Sequence, residues 1–187
     1  MFFPFFVRFA PAAHIMDTEG GLQMGGLAGY VSARGAPDSG WERLLQALPH
    51  GDGMVRSVFS EGGATLLHSG AARAENGRGG WPVSRRFGER TLTAAIDGAL
   101  QNAGALREHL RRKGYAIHTR SDVELLLISY IEWGAAAPEH FSGDFAFWVW
   151  DGAQRKLFIC GAGDKPLYFV FTEGVFAFAG DPAMLKI

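Results

Sequence analysis

Phe145-Ala146-Phe147-Trp148-Val149-Trp150 alternates large and small apolar side chains, and Asp151-Gly152-Ala153-Gln154 then turns the chain. A strand of this character is covered on both faces. Working outward, residues 156–160, 167–171 and 175–179 continue a meander of strands with the same unbroken apolar character, the last two joined across Thr172-Glu173-Gly174. Upstream lie the helices. Asn102 predicts the cap of a helix over 103–113, with Leu106 and Leu110 one turn apart, Glu108 placed to pair with Arg112, and Gly114 as its stop. Ser121-Asp122-Val123-Glu124 reads as a capping box opening a second helix. That helix is apolar on nearly every side as far as Trp133, so it is packed on both faces, and Gly134 ends it.

The first third of the chain also reads as strands. Residues 27–32 suit a buried strand, and 54–59 with 64–68 form a hairpin around Glu61-Gly62-Gly63. A short helix is predicted over 36–48, with Trp41, Leu44, Leu45 and Leu48 on one side and Asp38 or Ser39 as its cap. Residues 71–80 read as a polar surface loop and 91–96 as another strand. Strands at either end with two helices between them predict an α+β layered sandwich, helices packed on antiparallel sheets.

Composition sets the outer bounds. A chain of 187 residues can build one sizeable core, and its 26 glycines, about twice the usual share of ~7%, imply many tight turns. The net charge of -1 lacks the basic footprint of a nucleic-acid binder. A single cysteine, Cys160, excludes an internal disulfide framework and a multi-cysteine metal cluster. The six histidines show no pair at helical ligand spacing, so no metal site is expected. Gly161-Ala162-Gly163-Asp164-Lys165 has the flavour of a phosphate loop, but it is too short and Pro166 follows the lysine.

Residues 1–23 differ from the rest. Pro4, Arg8 and Pro11 interrupt an apolar run too short to span a membrane, and Arg8 lies inside the stretch that a secretory signal would keep uncharged. The segment reads as a disordered extension or a misassigned start, with Met24 the natural beginning of a domain over 24–187. A membrane or partner anchor and a poor signal peptide stand as alternatives, and a cytoplasmic location is expected.

Several motifs now fall in order. Met24-Gly25-Gly26-Leu27-Ala28-Gly29-Tyr30 resembles the Met-Cys-Gly-Ile-Ala-Gly start of class II glutamine amidotransferase domains of asparagine synthetases. Asp97-Gly98-Ala99-Leu100-Gln101-Asn102 resembles that family's Asn-Gly-Glu-Ile-Tyr-Asn, and 105–114 its following helix. Thr119-Arg120-Ser121-Asp122-Val123-Glu124, Ser142-Gly143-Asp144-Phe145, Trp150-Asp151, Lys165-Pro166-Leu167-Tyr168 and Phe178-Ala179 continue the match. The resemblance implies an N-terminal-nucleophile hydrolase fold, a four-layer α/β/β/α sandwich of two antiparallel sheets.

It also implies a chemistry whose residues are missing here. In active members the cysteine after the initiator methionine attacks the glutamine amide, and its own α-amine is the base. The matching position is Gly25, which has no side chain, and Cys160 sits mid-strand without an α-amine. The family's substrate-carboxylate arginine is absent from Leu48-Pro49-His50-Gly51-Asp52-Gly53; His50 is no bidentate clamp and reads as a loop residue. Asp97 replaces the oxyanion-hole asparagine and would repel developing negative charge. Gly98 is retained for a turn, and Ala99 replaces the glutamate that helps hold the substrate amine. Asp122 matches a pocket carboxylate, yet it equally suits the first turn of its helix.

Family members continue into an ATP-pyrophosphatase half carrying Ser-Gly-Gly-x-Asp-Ser, which is not found up to Ile187. The expectation is a catalytically silent amidotransferase type-2-like domain, without a cofactor of its own. It would support a synthetase domain or chain that uses ATP and magnesium, as in β-lactam synthetases and lasso-peptide cyclases, where a precursor peptide is a further partner. Two alternatives stay open: part of a glutamine-hydrolysing asparagine synthetase, or a stand-alone peptide- or protein-binding module.

Overall fold

The computed structural model describes residues 5–9, 26–32, 40–71, 81–172 and 174–186. Two five-stranded sheets stack face to face. The first has the order β1-β8-β7-β6-β5, from strands Phe5–Phe9 (β1), Val83–Phe87 (β5), Arg90–Gly98 (β6), Phe145–Asp151 (β7) and Lys156–Ala162 (β8). The second has the order β3-β4-β2-β10-β9, from Gly26–Ser32 (β2), Met54–Glu61 (β3), Ala64–Ala71 (β4), Tyr168–Thr172 (β9) and Val175–Ala179 (β10). Helices α2 (Ala103–Arg112) and α3 (Asp122–Trp133) cover the outer face of the first sheet. Helix α1 (Gly40–Ala47) and a 3-10 turn at Pro182–Leu185 cover the second. This is the expected α/β/β/α sandwich.

Period-two alternation sorts the core into three layers. Phe145, Phe147 and Val149 of β7 meet Leu125, Ile128 and Leu106 of the helices. Ala146, Trp148 and Trp150 of the same strand face the other sheet, meeting Leu66, Phe176 and Phe178. Leu44 and Leu48 of α1 pack on Tyr30, Leu67 and Ala177. The central strand is buried along its whole length, as its sequence requires.

Local signals hold in kind but differ in use. Asn102 precedes α2 without a side-chain cap. Its amide instead clamps the loop before β7, donating from Nδ2 to the His140 carbonyl at 2.8 Å and accepting from Ser142 N–H at 3.1 Å. Ser121 caps α3 through Val123 N–H, but Glu124 reaches past the expected box. It accepts from His118 N–H at 2.9 Å and from both the N–H and hydroxyl of Thr119 at 2.6 Å, and it pairs with Arg85 at 2.8 Å. The predicted caps Asp38 and Ser39 lie outside the described residues.

Three expectations are corrected. β5 was not foreseen, because it is a half-polar edge strand whose Arg85 turns back to Glu124 and over the Phe87 ring. β9 is not covered on both faces: as the edge of its sheet it leaves Phe171 59% exposed. Within the segment expected to be disordered, Phe5–Phe9 forms a strand, and it pairs with β8 in parallel, so the first sheet is not antiparallel throughout. No helix among the described residues is long and apolar enough to cross a membrane.

Burial pushes the Glu124 carboxyl upward, but the hydrogen bonds from His118 and Thr119 with the Arg85 charge outweigh it and hold it below its ordinary range. A lowered carboxylate contributes stability above its unfolded pKa and loses it as pH falls through the folded value. Glu124→Gln is expected to cost about 2 kcal/mol near pH 7 in urea unfolding, with the gap to the parent closing below about pH 4.5.

Candidate functional site

β2 enters and β6 leaves the sandwich at the same end, and there the two sheets part into a small cleft. It is lined by Gly26, Leu48, Pro49, Asp97, Ala146, Lys165, Leu167 and Asp181 among others, with a cavity volume of about 50 Å³. Gly26 fits because its neighbours leave no room: a Cβ there would lie 2.9 Å from the Pro49 ring. The Pro49 carbonyl accepts a short hydrogen bond from Ser69, the register partner of Gly26, which fixes the loop after α1 over the start of β2.

The charged centre of the cleft is an ion pair. Lys165 Nζ lies 2.9 Å from Asp97 Oδ2, with both side chains mostly buried. Lys165 is brought there by the connection from β8 to β9, which folds back tightly. A Cβ at Gly161 would lie 2.6 Å from the Lys165 carbonyl, and one at Gly163 would overlap Asp144 Oδ1. Only glycine permits both approaches. The lysine of the phosphate-loop-like run is therefore used on Asp97, whose charge it compensates.

A third ionisable side chain lies in the same interlayer. His68 of β4 shares its face with Ala64 and Leu66, and its ring lies 6.3 Å from that of Trp81. Burial lowers its pKa from the ordinary histidine value, against the opposing pull of the Asp97 charge and a hydrogen bond to the Ile96 backbone. Among the described residues Nδ1 has no hydrogen-bond partner.

The remaining expected site residues scatter around this centre. Gly25 lies outside the described residues, directly before β2. His50 is exposed, its Nδ1 3.2 Å from the Leu48 carbonyl, in keeping with a loop residue. Gly98 has φ +96° and a Cβ there would sit 2.1 Å from the Asp144 carbonyl, so the turn alone accounts for it. Ala99 is exposed and donates its N–H to that same carbonyl at 3.1 Å. Asp122 is buried, with Oδ2 accepting from Leu100 N–H at 3.0 Å, and Oδ1 has no partner among the described residues. Its first oxygen thus ties α3 to the turn after β6. Cys160 is buried in β8. No cluster of three potential metal ligands forms among the described residues.

Residues 24–186 match a family model described as a glutamine amidotransferase domain. The chain belongs to that family. The amidotransferase domain is 32% identical over 127 residues to glutamine-hydrolysing asparagine synthetase 3 of Bacillus subtilis, covering 67% of this chain and 21% of that protein. It is 34% identical over 113 residues to asparagine synthetase 1 of the same organism, covering 58% and 17%. The match thus spans about a fifth of each relative's length. Among solved structures, glutamine phosphoribosylpyrophosphate amidotransferase from B. subtilis superposes with a TM-score of 0.63 at 17% identity, over 87% of this chain and 43% of that one. An allosteric regulatory enzyme of purine biosynthesis superposes with a TM-score of 0.65 at 18% identity, over 86% and 43%. The fold is that of the N-terminal-nucleophile amidotransferases.

Sequence reasoning missed Lys165 and His68 as members of the site. The first carried a usable signal, since an aspartate in a buried pocket needs a cation and Lys165 begins the Lys-Pro-Leu-Tyr match. Two outcomes follow from the geometry. Lys165→Met leaves Asp97 without its cation and is expected to lower stability by roughly 1–2 kcal/mol, most of it recovered in the Asp97→Asn/Lys165→Met double variant, by thermal unfolding. His68, whose folded pKa is lowered, contributes stability present above about pH 6.5 and lost as pH falls. His68→Gln should therefore flatten the decline of the urea midpoint on the acid side of that value relative to the parent.

Proposed function

We propose that this amidotransferase domain does not hydrolyse glutamine and supports an ATP-dependent, amide-forming synthetase half of the asparagine-synthetase type, on the same or another chain. The observation that carries the reading is Gly25 at the position where the family places its nucleophilic thiol. Without a side chain there, no covalent acyl intermediate can form. The cleft agrees: Asp97, where a donor to the oxyanion would be needed, is an acceptor engaged by Lys165. Ammonia delivery is then superfluous. The amine that closes the amide comes from the acceptor substrate itself, as in ring-forming β-lactam synthetases and lasso-peptide cyclases. ATP and magnesium chemistry belongs to the synthetase half.

A second reading is favoured by one feature. Asp122 Oδ1 is a buried acceptor without a partner among the described residues, as a pocket that still takes the amine of an amino acid would keep it. On that reading the chain is part of a glutamine-hydrolysing asparagine synthetase, as its relatives are named. Enzyme-coupled detection of ammonia from glutamine separates the two. The full chain is expected to release none above buffer, and so is Gly25→Cys with residues 1–24 removed, provided its far-UV circular dichroism is native. Turnover by the purified chain that Asp122→Asn abolishes would establish the second reading.

A further inference from the structure

Leu27, Leu48, Ala146 and Leu167 give the cleft apolar walls, and its charged lining groups are two carboxylates, Asp97 and Asp181, against one ammonium, Lys165. A carboxylate set among apolar walls is the complement of a primary alkylammonium, whose stem is apolar and whose head is a compact charge with N–H donors. Lys165 is such a group. Its Nζ meets Asp97 Oδ2 at 2.9 Å, and about 50 Å³ remains beside the pair, room for a few waters only. Among the described residues Asp97 is hydrogen-bonded through Oδ2 alone, and Nζ has spent one of its donors.

The lysine arrives on a connection that other contacts hold. The close backbone approaches at Gly161 and Gly163 fix its path. Asp164 N–H donates to Asp144 Oδ1 at 3.2 Å, and Lys165 N–H donates to the Ala162 carbonyl at 3.4 Å. None of these contacts uses the Lys165 side chain. Shortening that side chain therefore leaves the backbone in place and opens, where its stem ran, a slot that ends at Asp97. Because it is tethered, the Lys165 ammonium meets Asp97 at an effective concentration above that of a free amine in the millimolar range.

We propose that the cleft is a binding site for a primary alkylammonium group and that Lys165 is its resident occupant, an intramolecular ligand that shuts the site against external amines. Charge and shape set the ligand class. An anion would face Asp97 and Asp181, and a quaternary ammonium has no N–H to offer Asp97. An external amine binds where Lys165 gives way, and the site is closed as long as the ion pair holds. This occupancy does not depend on the residue at position 25, so ammonia release from glutamine bears on the proposed function and not on it.

The test uses the full chain at about pH 8, where His68, on which the Asp97 charge also acts, is neutral. Propylammonium chloride is titrated through the millimolar range at constant ionic strength. In Lys165→Ala it is expected to raise the thermal midpoint saturably, by about 2–4 °C. The parent and the Asp97→Asn/Lys165→Ala double variant are expected to show no rise, and tetramethylammonium to raise none of the three. No rise in Lys165→Ala, or a rise shared by the parent or the double variant, overturns the proposal. Acetylation followed by mass spectrometry reads the parent without an emptied cleft. Lys165 is expected to react at least about fivefold more slowly than the exposed Lys113, Lys156 and Lys186, and Asp97→Asn to remove most of that protection. Reaction of Lys165 at the rate of the other three, or protection that survives Asp97→Asn, refutes the occupancy.

Discussion

Everything in this sandwich depends on how β7 is held between two layers. Trp148 and Trp150 project from one sheet into the other, and each indole brings a polar N–H into an apolar space. Trp148 Nε1 donates to the Leu67 carbonyl at 3.3 Å, and Trp150 Nε1 to Glu61 at 2.8 Å. Burying such rings contributes a few kcal/mol each, but only with the N–H satisfied, since an unpaired buried donor costs about 1–3 kcal/mol. The two bonds therefore do more than add stability. They set where the second sheet lies on the first, and so where the layers part to leave the cleft.

The cleft is then shaped by backbone proximity as much as by side chains. Glycines at 26, 161 and 163 let chain segments approach closer than any Cβ would allow. The last two aim the β8–β9 connection so that Lys165 reaches Asp97. The mostly buried Asp97 carboxylate is tolerated in the cleft because a cation arrives from a distant part of the chain. That ion pair ties the end of β6 to the connection that runs from β8 to β9.

Much of the fold was legible beforehand, for identifiable reasons. The helices announced themselves through Ser121, Gly114, Gly134 and the spacing of Leu106 and Leu110, all local signals. The β3–β4 hairpin followed from Glu61-Gly62-Gly63, where Gly62 and Gly63 do take positive φ. What escaped notice was at the edges. β5 is half polar because one face meets solvent, β9 looks like a core strand yet lies outermost, and Phe5–Phe9 carries a strand composition without a visible partner. Edge position depends on which strands end up adjacent, and no local pattern encodes it. The same holds for side-chain use: Asn102 and Glu124 have the right identities for helix caps, but tertiary neighbours offered better partners.

By itself the sequence determined that helices pack on strands in an α+β layered fold and that position 25 lacks a side chain, because both rest on residue identity or local period; the four-layer order followed from the motifs that resemble the amidotransferase family. Only the tertiary structure decided that Asp97 is matched by Lys165, that His68 is buried in the same interlayer, and that β8 is closed by a parallel strand. Those are contacts between segments tens of residues apart. They are set by packing the two sheets on one shared core, which local periodicity cannot specify.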